Sequence, residues 1–475
     1  MSRINTNVAA LTAQRGLHRS QKGLNDTLQR LSTGLRINRG ADDPAGLIAS
    51  EGLRSEISGI SQAIDNSERA ANVIATAEGA LSEVASLLLS IKSLVVEAAN
   101  TGALSPEEIQ ANQIQVDSAI ESITRIANAT TFAGLKLVNG SLDYITSGVT
   151  TTDISSLRVT QANFGTAAFQ PVEVNVITSA KTAELQYQAS AVTGGPLTLE
   201  VRGNEGVETL SFTGSAGVSA ILFAVNQVRD ATGVQAEYIN SANPNSGITF
   251  NSTDYGSSQF VAVRAQSGAF ATVDELGNAS AREVGQDAVA TINGAQAVAD
   301  GRNISLNTVT LDVDLKLSEA FGIGTTSFAI TGGGATFQLG PQVSTAQQVG
   351  IAIQSIAATA LGDDEVGFLN NLRTGGVAEL RSDPRAASDI IETAIRQVAT
   401  LRGRLGAFER NTLETNVNSL QVALENVTSS ESIIRDADFA AETAALTRAQ
   451  ILTQAGTSVL ATANTTPQNV LSLLQ

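Results

Sequence analysis

The sequence has no cysteine, no tryptophan, one methionine and one histidine in 475 residues. Without cysteine there is no disulfide framework, no thiolate metal site and no redox pair. The single imidazole, His18, leaves no second histidine for a zinc site, and a Ser-His-Asp triad would have to use His18 itself. Aromatic residues make up only 4%, and acidic side chains outnumber basic ones by 46 to 29. A net charge of −17 argues against nucleic acid, which rewards clustered lysine and arginine. No stretch reaches the roughly 18 apolar residues that span a bilayer. The greasiest run, 87–96, is interrupted by Lys92, so no membrane insertion is expected. The first residues also lack the apolar core of a standard secretory signal. Gly332-Gly333-Gly334 has no following Lys-Ser or Lys-Thr, which makes it a turn rather than a phosphate cradle. No catalysis, cofactor or metal is expected.

Glycine marks the organisation. Of 41 glycines, 11 fall in residues 1–140, 27 in 141–385 and 3 in 386–475. Tight turns are therefore concentrated in the middle, and the two ends are free to be helical.

The N-terminal zone carries three helical segments. Ile4, Val8 and Leu11 are spaced by 4 and 3, and Leu17, Leu24, Leu28, Leu31 and Leu35 continue by 7, 4, 3 and 4. Such spacing draws one narrow apolar stripe, which Gly34, Gly40, Pro44 and Gly46 then end. Next, Ile57, Ile60, Ile64, Ala71, Ile74, Leu81, Val84, Leu88, Ile91, Val95 and Ala98 follow a heptad repeat. A period of 3.5 residues predicts a left-handed supercoil with a partner helix. The third segment opens on Ser105-Pro106-Glu107-Glu108, a capping box with proline at the first helical position, and carries Ile109, Val116, Ile120, Ile123 and Ala127.

The C-terminal zone mirrors this. Ala394, Val398, Leu401, Leu405 and Phe408 repeat by 4 and 3. After a slip, Leu413, Val417, Leu420, Leu424 and Val427 do the same. A last segment holds Ala441, Ala445, Leu452, Ala455 and Val459, and Pro467 is expected to interrupt it before Leu471, Leu473 and Leu474. In the middle zone 197–201 and 208–212 alternate as strands, 219–229 is helical and 233–238 is extended. A weaker echo follows, with strands at 327–330 and 335–339 and a helix at 345–360.

The expected fold is thus α+β and multidomain. Both chain ends form a long antiparallel helical bundle or coiled coil, and a β-rich insert lies between them. The outermost stripes have no core of their own. Burying a leucine gains about 1.5–3 kcal/mol, whereas ordering costs about 1–2 kcal/mol for each backbone residue. The ends become worth ordering when many copies stack their stripes, which is folding coupled to assembly. A head-to-tail contact that does not close on itself gives a helical filament. Expected assembly residues are Ile4, Val8, Leu11, Leu24, Leu28, Leu31, Leu452, Ala455, Val459, Leu471 and Leu474. Expected bundle core residues are Ile57, Ile64, Leu81, Leu88, Ile91, Val95, Leu405, Leu420 and Leu424. Seven basic side chains and one acid, Asp26, fall in the first 40 residues, and acids such as Asp436, Asp438 and Glu442 of neighbouring copies are their candidate partners.

Ordered strings at both ends carry a resemblance. They are Ser2-Arg3-Ile4-Asn5-Thr6-Asn7, Leu31-Ser32-Thr33-Gly34-Leu35-Arg36-Ile37-Asn38 and Ala41-Asp42-Asp43-Pro44-Ala45-Gly46-Leu47 at the start. Near the end stand Ser432-Ile433-Ile434-Arg435-Asp436-Ala437-Asp438, Arg448-Ala449-Gln450-Ile451-Leu452, Gln454-Ala455-Gly456-Thr457-Ser458-Val459-Leu460 and Pro467-Gln468-Asn469-Val470-Leu471. In these strings the chain resembles the bacterial flagellins. The resemblance implies a subunit of an extracellular filament used for motility, secreted unfolded through the flagellar type III export apparatus with a secretion chaperone. Its implied partners are itself, as a helical homopolymer, and the filament cap and hook-junction proteins. The implied division is 1–45 and 436–475 for an inner tube, 46–145 and 386–435 for the bundle, and 146–385 for a variable surface insert of two subdomains, one near 196–241. A hook–filament junction protein shares the plan and is the alternative. Many flagellins also meet an innate immune receptor of the Toll-like class. The matching positions here are Ser90, Leu94 and Gln113, and Ser90 stands where the family's contacting arginine belongs, so weak recognition is implied.

The heptad makes its own test. Leu88→Asp would bury an unpaired carboxylate and should cost roughly 4 kcal/mol or more. The soluble chain's circular dichroism melt should fall well below wild type, and a melt equal to wild type would place Leu88 outside the core.

Overall fold

A computed structural model describes residues 6–472 except 166, 193, 194, 215 and 309, with backbone alone for 466–472. Ile4, Leu473 and Leu474 lie outside the described residues, and the side chain of Leu471 is also undescribed. Among the described residues the helices are α1 Val8–Thr33, α2 Pro44–Ala98, α3 Pro106–Ala129, α4 Val218–Gln227, α5 Arg229–Thr232, α6 Pro384–Phe408, α7 Thr415–Arg435 and α8 Phe439–Ser472.

Local chemistry sets their ends. The Asn7 side chain caps α1 by accepting from Ala10 N, and Gly34 ends it at φ 73°, a left-handed conformation suited to glycine. The capping box at Ser105 and Glu108 starts α3. Helix α2 begins at Pro44, well before Ile57, because the Asp43 side chain accepts from Gly46 N at 2.9 Å. A Cβ on Gly46 would stand 2.5 Å from that carboxylate and 2.7 Å from Ile37, so only glycine fits beneath the cap.

From Ile60 onward the buried positions on α2 are Ile60, Ala63, Ser67, Ala70, Ile74, Ala77, Leu81, Val84, Leu88, Ile91, Val95 and Ala98. They alternate by 3 and 4 along the helix, as a heptad seam does. Ile57, Ile64 and Ala71, expected in that seam, are half-buried beside it. Small side chains at Ala63, Ser67 and Ala70 occupy the seam at that level and leave the larger isoleucines to flank it. The slip between Phe408 and Leu413 is taken up by a π-helical segment, Glu409–Glu414. A π turn holds one more residue than an α turn, so Leu413 stays buried like Leu405.

The chain forms two compact units, 1–69 with 338–347 and 410–475, and 70–337 with 348–409. In the first, α1 packs on α8, and the start of α2 runs antiparallel to α7. Arg435 meets Glu51 at 3.0 Å, and Asn416 Nδ2 donates to Ser67 Oγ at 3.1 Å and to Leu339 O at 2.9 Å. Pro341 lies so close to Gly59 that a Cβ there would stand 3.0 Å away.

In the second unit the rest of α2 pairs with α6 through Glu78–Arg402 at 3.3 Å and Lys92–Glu392 at 2.9 Å. An 18-residue window of α2 is long and apolar enough to cross a membrane by length and composition, contrary to expectation. The heptad accounts for part of that greasiness, since Leu81, Val84, Leu88, Ile91 and Val95 line the buried seam, while Leu89 and Val96 are exposed.

Two sheets of this unit share one apolar core. The five-stranded sheet runs in the order Ala295–Gln296, Val289–Ile292, Gln170–Thr178, Gly324–Gly333 and Tyr144–Ser147. The four-stranded sheet runs Val298–Asp300, Asn303–Asn307, Leu311–Leu317 and Ile154–Ala162. Alternation aims Val172, Val174 and Val176 inward against Val313, Leu315 and Phe328. A second core is nested within it, built by strands from Thr182–Tyr187 to Arg282–Val284 with Val218, Ile221 and Val225 of α4. The 196–241 segment lies inside this nested body. Its chain enters and leaves at one antiparallel bridge, Lys181 with Gln286.

The helix expected at 345–360 does not form. A 3-10 turn at Thr345–Gln347 leads into a strand, Gln348–Ile351. The amides that a helix would need are committed elsewhere: Ala352, Ile353 and Ile356 donate to Thr160 O, Leu142 O and Val138 O at 2.9, 3.0 and 3.0 Å. The chain then wraps the helices. Leu369, Leu372, Ala378 and Leu380 are buried, and Gln397 of α6 exchanges two hydrogen bonds with Gly362. An insert reaching to 385 therefore includes a segment that the helical core uses.

These connections predict two deletions with opposite outcomes. Excising 183–284 across the Lys181–Gln286 bridge with a short glycine turn should leave a soluble chain that melts cooperatively. Joining Ser147 to Ala386 removes the buried wrap and should give an aggregating or molten product. Equal behaviour in thermal melts would refute this division of the insert.

Candidate assembly surface

Helices α1 and α8 run antiparallel. Arg30 pairs with Glu442 at 3.1 Å, Gly456 lies against Leu17, and Asn7 reaches Ala463. The half-buried or buried positions on α1 include Ala13, Leu17, Ser20, Leu24, Thr27 and Leu31, spaced by 3 and 4. Those on α8 include Glu442, Ala445, Leu446, Ala449, Thr453, Gly456, Leu460 and Ala463. A Cβ on Gly456 would stand 3.2 Å from the Leu17 side chain, so the backbones approach closely. Sequence reasoning found Leu17, Leu24 and Leu31 on the α1 side of this seam and Ala445 on the α8 side, and missed the rest. Its signal was a heptad of alanine, glycine and threonine, which hydrophobic spacing barely registers.

The expected assembly residues divide between two faces. Leu24 and Leu31 lie in the seam. Val8, Leu11, Leu28, Leu452 and Val459 are 47–61% exposed, and Ala455 is exposed beside them. Each helix thus packs one stripe in its own chain and leaves a second stripe without a partner in that chain. Of the expected bundle core, Leu81, Leu88, Ile91, Val95 and Leu405 are buried, whereas Ile57, Ile64, Leu420 and Leu424 are half-buried.

Helix α8 does not stop before Pro467, contrary to expectation, and its backbone continues to Ser472. Proline has no N–H for the carbonyl four residues back. That carbonyl, on Ala463, accepts a hydrogen bond from Asn7 Nδ2 at 2.8 Å.

A small corner ties the inner ends of the pair together. Leu35 bridges Asp436, Arg36 N donates to Arg435 O at 2.7 Å, and Ala437 N donates to Gly34 O at 2.9 Å. The Asp42 carboxylate takes the amides of Arg39 and Asn38, and these bonds lower its pKa below the usual carboxylate value. The folded loop thus prefers ionised Asp42. That preference holds above the ordinary carboxylate range and fades as pH falls through the lowered value.

Charges expected to reach neighbouring copies are partly used within the chain. Glu442 holds Arg30, Asp438 caps α8 through Ala440 N and Ala441 N, and Asp436 accepts from Ser432 Oγ. His18, Arg15, Arg19 and Lys22 are exposed on α1. Of the expected receptor-facing residues, Ser90 is exposed and Leu94 half-buried. Gln113 is only 1% exposed. Its amide donates to Leu372 O at 2.8 Å and accepts from Leu380 N at 3.0 Å. That residue holds the wrap in place and is not available at a surface.

The family model for the bacterial flagellin N-terminal helical region matches residues 4–143, and that for the C-terminal helical region matches 388–474. The B-type flagellin of Pseudomonas aeruginosa is 29% identical, covering 99% of this chain and 99% of that protein. A flagellin of Salmonella muenchen is also 29% identical with the same coverage. Flagellin B of Helicobacter pylori is 28% identical over 100% of this chain and 99% of its own.

The two-faced helices separate folding from association. Leu452→Ser with Val459→Ser alters side chains already more than half exposed. The monomer's melting free energy should change by no more than about 0.5 kcal/mol, while polymer formation, followed by light scattering, should fall to background. Normal polymer growth would remove these residues from the contact.

Proposed function

The chain belongs to the bacterial flagellins and is a structural subunit of the flagellar filament; from that premise we propose that it polymerises through the outward stripes of α1 and α8. The observation carrying this reading is the exposure of Val8, Leu11, Leu452 and Val459 on helices whose opposite faces are already packed. Burying each such side chain is worth about 1.5–3 kcal/mol. Repeated across many copies, that gain orders helices which a single pairing holds only along one narrow seam.

The remaining partners follow from the family resemblance. The subunit leaves the cell through the flagellar export apparatus with a secretion chaperone and meets the cap and the hook-junction proteins at the ends of the filament. Its role is mechanical and extracellular, with no catalytic step. Recognition by the Toll-like receptor is weak, because Ser90 cannot supply the forked hydrogen bonds of an arginine. A hook–filament junction protein is the second reading, and the long string from Arg448 to Leu460 with Pro467 to Leu471 favours the filament subunit.

A chain lacking 441–475 tests the proposal. It should remain folded, with the β cores and the α2–α6 pairing intact by circular dichroism, and should form no filaments in the electron microscope. Filaments of normal length from that chain would reject assembly through the terminal helices. Short or absent filaments from the full-length chain under polymerising conditions would favour the junction protein.

A further inference from the structure

We propose that Asn7 is a positioning residue for assembly, a single carboxamide that starts α1 and closes the gap Pro467 opens in α8. The proposal rests on the reading of these helices as the assembling elements.

Two hydrogen bonds carry it. Asn7 Oδ1 accepts from Ala10 N at 3.0 Å, which caps the first turn of α1. Asn7 Nδ2 donates to Ala463 O at 2.8 Å. In an uninterrupted helix Ala463 O would receive the N–H of residue 467, and proline has none to give. The open carbonyl is half-buried in the seam, where a missing donor is costly. Asparagine is suited to both tasks because its acceptor and donor sit on one rigid plane. Aspartate would cap α1 and offer Ala463 no proton. Serine would cap α1 and fall short of Ala463.

The bond also fixes register. The seam between α1 and α8 is lined mostly by alanine, threonine, serine, glycine and leucine, whose contacts discriminate poorly between one level and the next. The Arg30–Glu442 pair and the Leu35–Asp436 corner align the inner end of the pair, and the Asn7 carboxamide aligns the outer end, as a buried asparagine does in coiled coils. Aligning residue 7 with residue 463 holds the outward stripe of Val8 and Leu11 at one level beside that of Val459. Copies can then stack only on a pair whose ends are in step.

A double-mutant cycle in the full-length chain tests this, with the critical subunit concentration for growth on filament seeds as the readout. Asn7→Ser should raise it about fivefold, the size of one ordinary hydrogen bond. Pro467→Ala returns an N–H to Ala463, and in that background Asn7→Ser should change the value less than twofold. Growth of the double variant where Asn7→Ser alone does not grow also supports the proposal. An equal factor in both backgrounds, or no growth in either, overturns it, because the role of Asn7 would not run through Ala463. The chain lacking 441–475 addresses the underlying reading separately, since this cycle can fail while that truncation still forms no filaments.

Discussion

Everything at the ends of this molecule depends on a pair of helices that can satisfy only one side of themselves. Helices α1 and α8 share a narrow seam of leucines and small residues and leave Val8, Leu11, Leu452 and Val459 facing outward. A wider seam with larger side chains would fold the ends firmly in the single chain and leave no reason to associate. Two unmatched stripes on separate helices would leave nothing aligned to associate with. The arrangement found lies between these cases, with enough packing to set direction and register and too little to complete the burial.

The bundle behind it is built on a different footing. From Ile60 to Ala98 one side of α2 is buried at every heptad step, and α6 meets it with Leu401 and Leu405 buried and two cross-helix ion pairs. Those pairs are part-exposed and worth little individually. The apolar seam does most of the stabilising. On the proposed reading, the bundle supplies the packing of the single subunit and the outward stripes of the tips supply the contacts between copies. This is a division of labour along the helices rather than between domains.

Much of this was legible in the sequence. Leu81, Leu88, Ile91 and Val95 announced their seam because large apolar residues recur at heptad spacing, and the slip before Leu413 was visible as a spacing of five from Phe408. What escaped was carried by small or polar residues. Ala63, Ser67 and Ala70 displaced Ile57 and Ile64 from the seam because fit between backbones, not greasiness, decided the contact. Most of the α8 side of the α1–α8 seam escaped for the same reason. The 345–360 stretch misled because its alanines and isoleucines suit a helix, while the tertiary partners Leu142, Thr160 and Val138 claim its amides. Gln113 was assigned to a surface because nothing local reveals that a distant strap consumes its amide.

The nested architecture of the middle obeys the same economy. The inner β body leaves and rejoins its host at adjacent positions, Lys181 and Gln286, held by two reciprocal backbone hydrogen bonds of 2.8 and 2.9 Å. Adjacent entry and exit mean that the host sheets see a closed turn whatever lies beyond it, which is the condition under which a domain insertion is tolerated. The wrap at 351–380 is different, because its ends are far apart along the helices and its side chains are buried among them. The β-rich middle thus holds a body joined to its host at one bridge and a strap whose amides and side chains are tied into the helices and their neighbours, and the line between them follows where backbone amides are spent rather than where the glycines begin.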